Sequence, residues 1–102
     1  MVVRAILCCI RGLSQFSWDI VRLCSKYRGD GVVGMDIAGD EEGLDGQGDM
    51  FSQVDRAAYQ EARRLGVHRT VHAGEVGPAQ CIRQVTEDGL KDRHRSIKCF
   101  IL

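Results

Sequence analysis

Apolar side chains run together near residues 3–10 and 32–38, and after each run their spacing changes from continuous to helical. Residues 3–10, centred on Ala5-Ile6-Leu7-Cys8-Cys9-Ile10, predict a short parallel strand buried on both faces. Ser17 can cap a following helix in which Trp18, Val21, Cys24 and Tyr27 recur on one inward face, and Gly29 and Gly31 punctuate its end. The order then repeats. Residues 31–39, Gly31-Val32-Val33-Gly34-Met35-Asp36-Ile37-Ala38-Gly39, read as a second strand, followed by a polar, glycine-rich loop from Asp40 to Asp49. Ser52 and Asp55 form the letters of a capping box for a second helix, Val54, Ala58, Ala62 and Leu65 line its inner face, and Gly66 suits its left-handed C-terminal cap. A third strand, His68-Arg69-Thr70-Val71-His72, leads into a helix with Pro78 in its first turn, Ala79, Ile82 and Val85 facing inward, and Gly89 at its end. Residues 91–102 are charged and then apolar, and they fit either a fourth strand or a poorly packed extension.

Strands starting near residues 3, 32 and 69 recur at the length of a strand-helix-strand crossover, about thirty residues, and such crossovers join parallel strands. The fold class is therefore α/β. Three such units fit a small open sheet or an arc of a (β/α)8 TIM barrel, whose complete form needs about 250 residues.

Composition narrows the partners rather than the fold. The chain has 102 residues with 14 basic and 14 acidic side chains and no run of basic residues, so it presents no electrostatic footprint for nucleic acid or an anionic membrane. Arg4 and Arg11 interrupt the first apolar run before it could serve as a signal core or transmembrane segment. Five cysteines, an odd count without a Cys-x-x-Cys pair, argue against a disulfide framework or a thiolate zinc knuckle and fit a reducing cytoplasm. Cys8 and Cys9 point to opposite faces of their strand and read as buried packing residues.

In parallel α/β architectures the loops after the strands converge on one face, which is where catalytic groups gather. His72 closes the third strand, Glu75 follows within a turn containing Gly74, and Gly39 and Asp40 occupy the corresponding end of the second strand. A neutral imidazole can ligate zinc, and a partly desolvated carboxyl group nearby can donate a proton. Taken alone, a His at a strand end more often serves as a hydrogen-bonded structural residue. His68 is not a second ligand, because four residues along a strand place it about 13 Å from His72.

Other patterns fail on context. Gly29 to Gly34 spells a dinucleotide fingerprint but precedes a strand where it should follow one, and the Gly43–Gly48 loop lacks the lysine and hydroxyl of a phosphate-cradling loop. The nucleobase-deaminase signature, His-x-Glu with Pro-Cys-x-x-Cys, is also missing.

Four stretches, in order, resemble the adenosine deaminase family: Ala5-Ile6-Leu7-Cys8-Cys9, Val33 to Glu41 (Val-Gly-Met-Asp-Ile-Ala-Gly-Asp-Glu), Ala58-Tyr59-Gln60-Glu61-Ala62, and His68 to Gly77 (His-Arg-Thr-Val-His-Ala-Gly-Glu-Val-Gly). The similarity covers residues 4 to about 85. It implies an internal piece of a zinc-centred (β/α)8 barrel enzyme that hydrolyses adenosine or 2'-deoxyadenosine to the inosine forms with release of ammonia. By the same resemblance His72 is a zinc ligand, Glu75 donates a proton to purine N1, and the Gly39 N–H bonds purine N3.

The family's His-x-His pair, its later water-assisting histidine and its paired aspartates have no counterpart in these residues. Residues 1–85 therefore read as a partial deaminase domain and 86–102 as a divergent tail, where a Gly-His-Gly stretch would be expected. Two further readings stay open: a truncated, non-catalytic product lacking most of the Zn2+ ligands, and a small α/β module that binds a ligand without chemistry.

Overall fold

The computed structural model describes residues 1–41, 51–76, 79–87 and 98–99. Pro78, Gly89, His94, most of the Asp40–Asp49 loop and most of the tail lie outside the described residues. The elements are β1 (Ala5–Ile10), α1 (Ser17–Lys26), β2 (Val32–Ala38), α2 (Gln53–Arg64), β3 (His68–Arg69), β4 (His72–Ala73), α3 (Ala79–Glu87) and β5 (Lys98–Cys99). Strands and helices alternate as the sequence predicts as far as β3, which β4 follows with no helix between them.

β2 is central. It pairs in parallel with β1 along its length and with β3 at Gly34–His68 and Met35–Arg69, giving the order β1-β2-β3. Among the described residues the helices cover one face. On that face Met35 and Ile37 are fully buried, and Cys9, opposite Ile37, is 2% exposed. Val21 and Cys24 of α1 join Ala58, Tyr59 and Ala62 of α2 in the same core. Burying side chains of the Met35 or Ile37 kind contributes roughly 1.5–3 kcal/mol each, which makes this face the main source of cohesion.

The other face of β1 departs from expectation. Ile6 and Ile10 are 50% and 51% exposed, and Cys8 between them is exposed as well. β1 is thus buried on one face rather than two, because α1 and α2 cover only the side that carries Cys9. For the same reason Cys8 is not a packing residue, whereas Cys9 is.

The helices show where periodicity succeeds and where it misassigns faces. α2 carries the full capping box: Ser52 Oγ accepts from the Asp55 N–H, and the Asp55 carboxylate accepts from the Ser52 N–H. Gly66 follows with φ 73°, as the left-handed cap requires. Ala58 and Ala62 face the core, but Val54 is 41% exposed. In α1 the first helical residue is Ser17 itself and Phe16 takes the cap position, since a short 3-10 turn, Ser14–Phe16, feeds the helix. The buried Ser17 hydroxyl instead donates to Asp55 Oδ1 at 2.6 Å, joining α1 to the start of α2. Trp18 and Tyr27 lie at 36% and 39% exposure, so Val21 and Cys24 carry that face. In α3, Cys81 and Val85 are buried, Ile82 packs against them, and Ala79 is exposed.

The third strand is not continuous. β3 ends at Arg69, Thr70 and Val71 interrupt it, and β4 joins a separate two-stranded parallel sheet with β5. The Thr70 N–H still donates to the Met35 carbonyl at 3.0 Å. Tyr59, buried beneath this segment, donates its hydroxyl to the Thr70 carbonyl at 2.7 Å. Lys98–Cys99 is therefore a short strand, one of the two readings open for the tail. Among the described residues no helix is long and apolar enough to cross a membrane.

Candidate active site

The C-terminal ends of β1, β2 and β4 meet, and one buried side chain ties them. Arg11 follows β1 directly and is 4% exposed. Its Nη1 donates to the Gly39 carbonyl at 2.9 Å and its Nη2 to the His72 carbonyl. The guanidinium also lies over the Phe51 ring, 5.6 Å from the centroid. Burial pulls its pKa below the ordinary value, and Glu41 is the largest of the charges that oppose this. The backbones at Gly39 and His72 are thus held in fixed relation although β2, which Gly39 follows, and β4 belong to different sheets.

Each end then presents its groups. At the end of β2, Gly39 has φ 109°, a conformation that side chains disfavour, which turns the backbone out of the strand. Asp36 on β2 points across the gap, its Oδ2 2.8 Å from His72 Nδ1 while its Oδ1 accepts the Ile37 N–H at 2.8 Å. Both side chains are largely buried, at 9% and 20% exposure, so the imidazole lies against a carboxylate in a sheltered place.

The turn after β4 is organised by a residue from the β2 side. Glu41 is 5% exposed, and its two carboxylate oxygens accept three successive backbone N–H groups: Gly74 at 2.7 Å, Glu75 at 2.8 Å and Val76 at 3.2 Å. Burial pushes the Glu41 pKa up, but these three bonds and the Arg11 charge outweigh it and hold the carboxyl below the usual glutamate range. Gly74 supplies the positive φ of 72° that lets three N–H groups converge. Glu75 and Val76 are themselves exposed.

The structure thus brings Gly39, His72 and the Glu75 backbone to one end of the sheet. His68 stands apart, opposite Gly34 in β3, so it shares nothing with His72. Reading residue types at strand ends did not single out Arg11, Asp36 or Glu41 as site residues. Asp36 and Glu41 were visible as charged letters within or beside an apolar strand, a pattern that demands a partner when buried. Among the described residues no group of three or more His, Cys, Asp or Glu side chains is placed to hold a metal ion.

A model of the adenosine deaminase family matches residues 1–93. The adenosine deaminase of Gallus gallus is 49% identical over 81 residues, which cover 79% of this chain and 21% of that protein. That of Bos taurus is 47% identical over 85 residues, covering 83% and 23%. The chain therefore spans roughly a fifth of the length of these relatives. Among solved structures, an Arabidopsis N6-mAMP deaminase superposes with a TM-score of 0.66 at 30% identity, over 84% of this chain and 24% of that one. Arabidopsis ADAL complexed with IMP superposes with a TM-score of 0.65 at 26% identity and the same coverage. The parallel strands alternating with helices are an open part of a TIM barrel, and the chain belongs to the adenosine deaminase family.

Proposed function

We propose that this chain forms part of the active site of a cytoplasmic, zinc-dependent hydrolase that converts adenosine and 2'-deoxyadenosine to inosine and 2'-deoxyinosine in purine nucleoside metabolism. The observation that carries this reading is the meeting of Gly39, His72 and the Glu75 turn at one end of the sheet, tied by Arg11. Family membership and the IMP held by one structural relative support a purine as the ligand.

The fit to zinc is partial. With Asp36 against His72 Nδ1, Nε2 is the nitrogen left to bind an ion, which resembles the usual placing of a carboxylate behind a metal-binding imidazole. Catalytic zinc takes about three protein ligands, and among the described residues no group of three such side chains is placed to hold an ion, with His72 the one ligand of this reading. A zinc ion held there would acidify a water molecule as the source of the nucleophile. In this reading Glu75 donates a proton to purine N1, and the Gly39 N–H donates to purine N3, fixing the base from the β2 side. Water then adds at the amino-bearing carbon, one of its protons passes to the amino group and the other restores Glu75, and the C–N bond breaks to release ammonia.

The same ligand count favours a second reading, that these 102 residues do not catalyse the reaction by themselves. Two measurements test the pair. Adenosine added with Zn2+ should shift the amide resonances of Gly39, His72 and Glu75, and silence at all three would reject the purine site. Ultraviolet absorbance should show no conversion to inosine by the purified chain. Turnover that Glu75→Gln abolishes would instead reject the non-catalytic reading.

A further inference from the structure

Glu41 is a buried carboxylate with an unusual set of partners, because it bonds three consecutive amides of a turn that lies 33 to 35 residues further along the chain. Bonds from backbone N–H groups to an ionised oxygen are about twice as strong as neutral ones, and three of them leave the Gly74–Val76 backbone little freedom. The middle amide belongs to Glu75, so the bond fixes the point from which the Glu75 side chain departs. The first belongs to Gly74, two residues after the imidazole of His72. Arg11 grips the same segment from the other side through the His72 carbonyl.

We propose that Glu41 is a positioning residue for the site: its carboxylate clamps the Gly74–Val76 turn so that His72 and Glu75 face the end of β2 together. The role rests on the reading of that turn as the zinc and purine site. A plain loop anchor would hold the turn without affecting what His72 binds, whereas a positioning residue changes both.

The test uses the 102-residue chain and nuclear magnetic resonance. In the wild-type chain the Glu75 and Val76 amides should resist exchange with solvent although both residues are exposed, since Glu41 is their acceptor. Fast exchange at both overturns the proposal without any variant, which keeps it testable if a variant does not fold. Glu41→Gln preserves volume but removes the charge and turns an amide NH2 toward donors. It should speed exchange at Gly74 and Glu75 by about tenfold or more while the β1–β2 ladder stays protected. The decisive readout is the His72 imidazole followed during addition of Zn2+ alone. Its midpoint should rise by about tenfold in Glu41→Gln, in the range seen when residues behind a metal ligand are changed. Loss of amide protection with an unchanged Zn2+ midpoint would reduce Glu41 to a loop anchor and overturn the proposal. A wild-type His72 that ignores Zn2+ would sink the metal site itself, a separate failure visible before any variant is made.

Discussion

At the scale of single residues, the cluster at the strand ends divides into the groups proposed to face a ligand and the groups that hold them. His72, Glu75 and Gly39 were legible in the sequence, first as polar or glycine residues at strand ends and then through the stretches shared with the deaminase family. Arg11 and Glu41 were not, because their roles come from register: Arg11 reaches the His72 carbonyl 61 residues away, a distance no local pattern encodes. Glu41 also makes the fold sensitive to acid. Its carboxyl pKa is lowered on folding, so its contribution to stability is present above the ordinary glutamate range and is lost as pH falls through the lowered value. Urea unfolding at a series of pH values should therefore show wild-type stability declining below that range. Glu41→Gln should flatten this part of the profile and cost about 2 kcal/mol near neutrality, as expected for hydrogen bonds to a charged group.

At the scale of elements, local chemistry is read most reliably where it closes on itself. The α2 capping box involves two residues three apart and appears as the sequence implies. What the sequence concealed was the second use of Asp55, which also accepts the Ser17 hydroxyl from α1. Ser52→Ala should accordingly cost about 1 kcal/mol, the usual value for a lost cap. Asp55→Ala should cost more, about 2–3 kcal/mol, because it also strands a buried hydroxyl. Thermal unfolding of the two variants checks the order, and equal losses would show that the α1–α2 bond adds nothing. The helical faces were harder. Trp18, Tyr27 and Val54 keep the right period yet stand on the margins of their stripes, where a shift of a few tens of degrees moves a side chain from core to solvent.

At the scale of the whole molecule, the strand-helix alternation was evident from spacing alone, and the one-sided burial was not. Apolar letters in β1 suggested cover on both faces, but the helices lie on one and leave Ile6 and Ile10 open. That exposed face should bind the dye 1-anilinonaphthalene-8-sulfonate in the native chain, and Ile6→Ser with Ile10→Ser should lower the fluorescence several-fold without loss of cooperative unfolding. Dim native fluorescence would mean the face is covered in solution. The break at Thr70 and Val71 carries the widest consequence. Since β4 belongs to a different sheet from β2, the spacing between the Gly39 backbone and the His72 imidazole is not inherited from a hydrogen-bonded ladder. It is written in side chains instead, so that space can be retuned by exchanging an arginine or a carboxylate while the scaffold beneath is left alone.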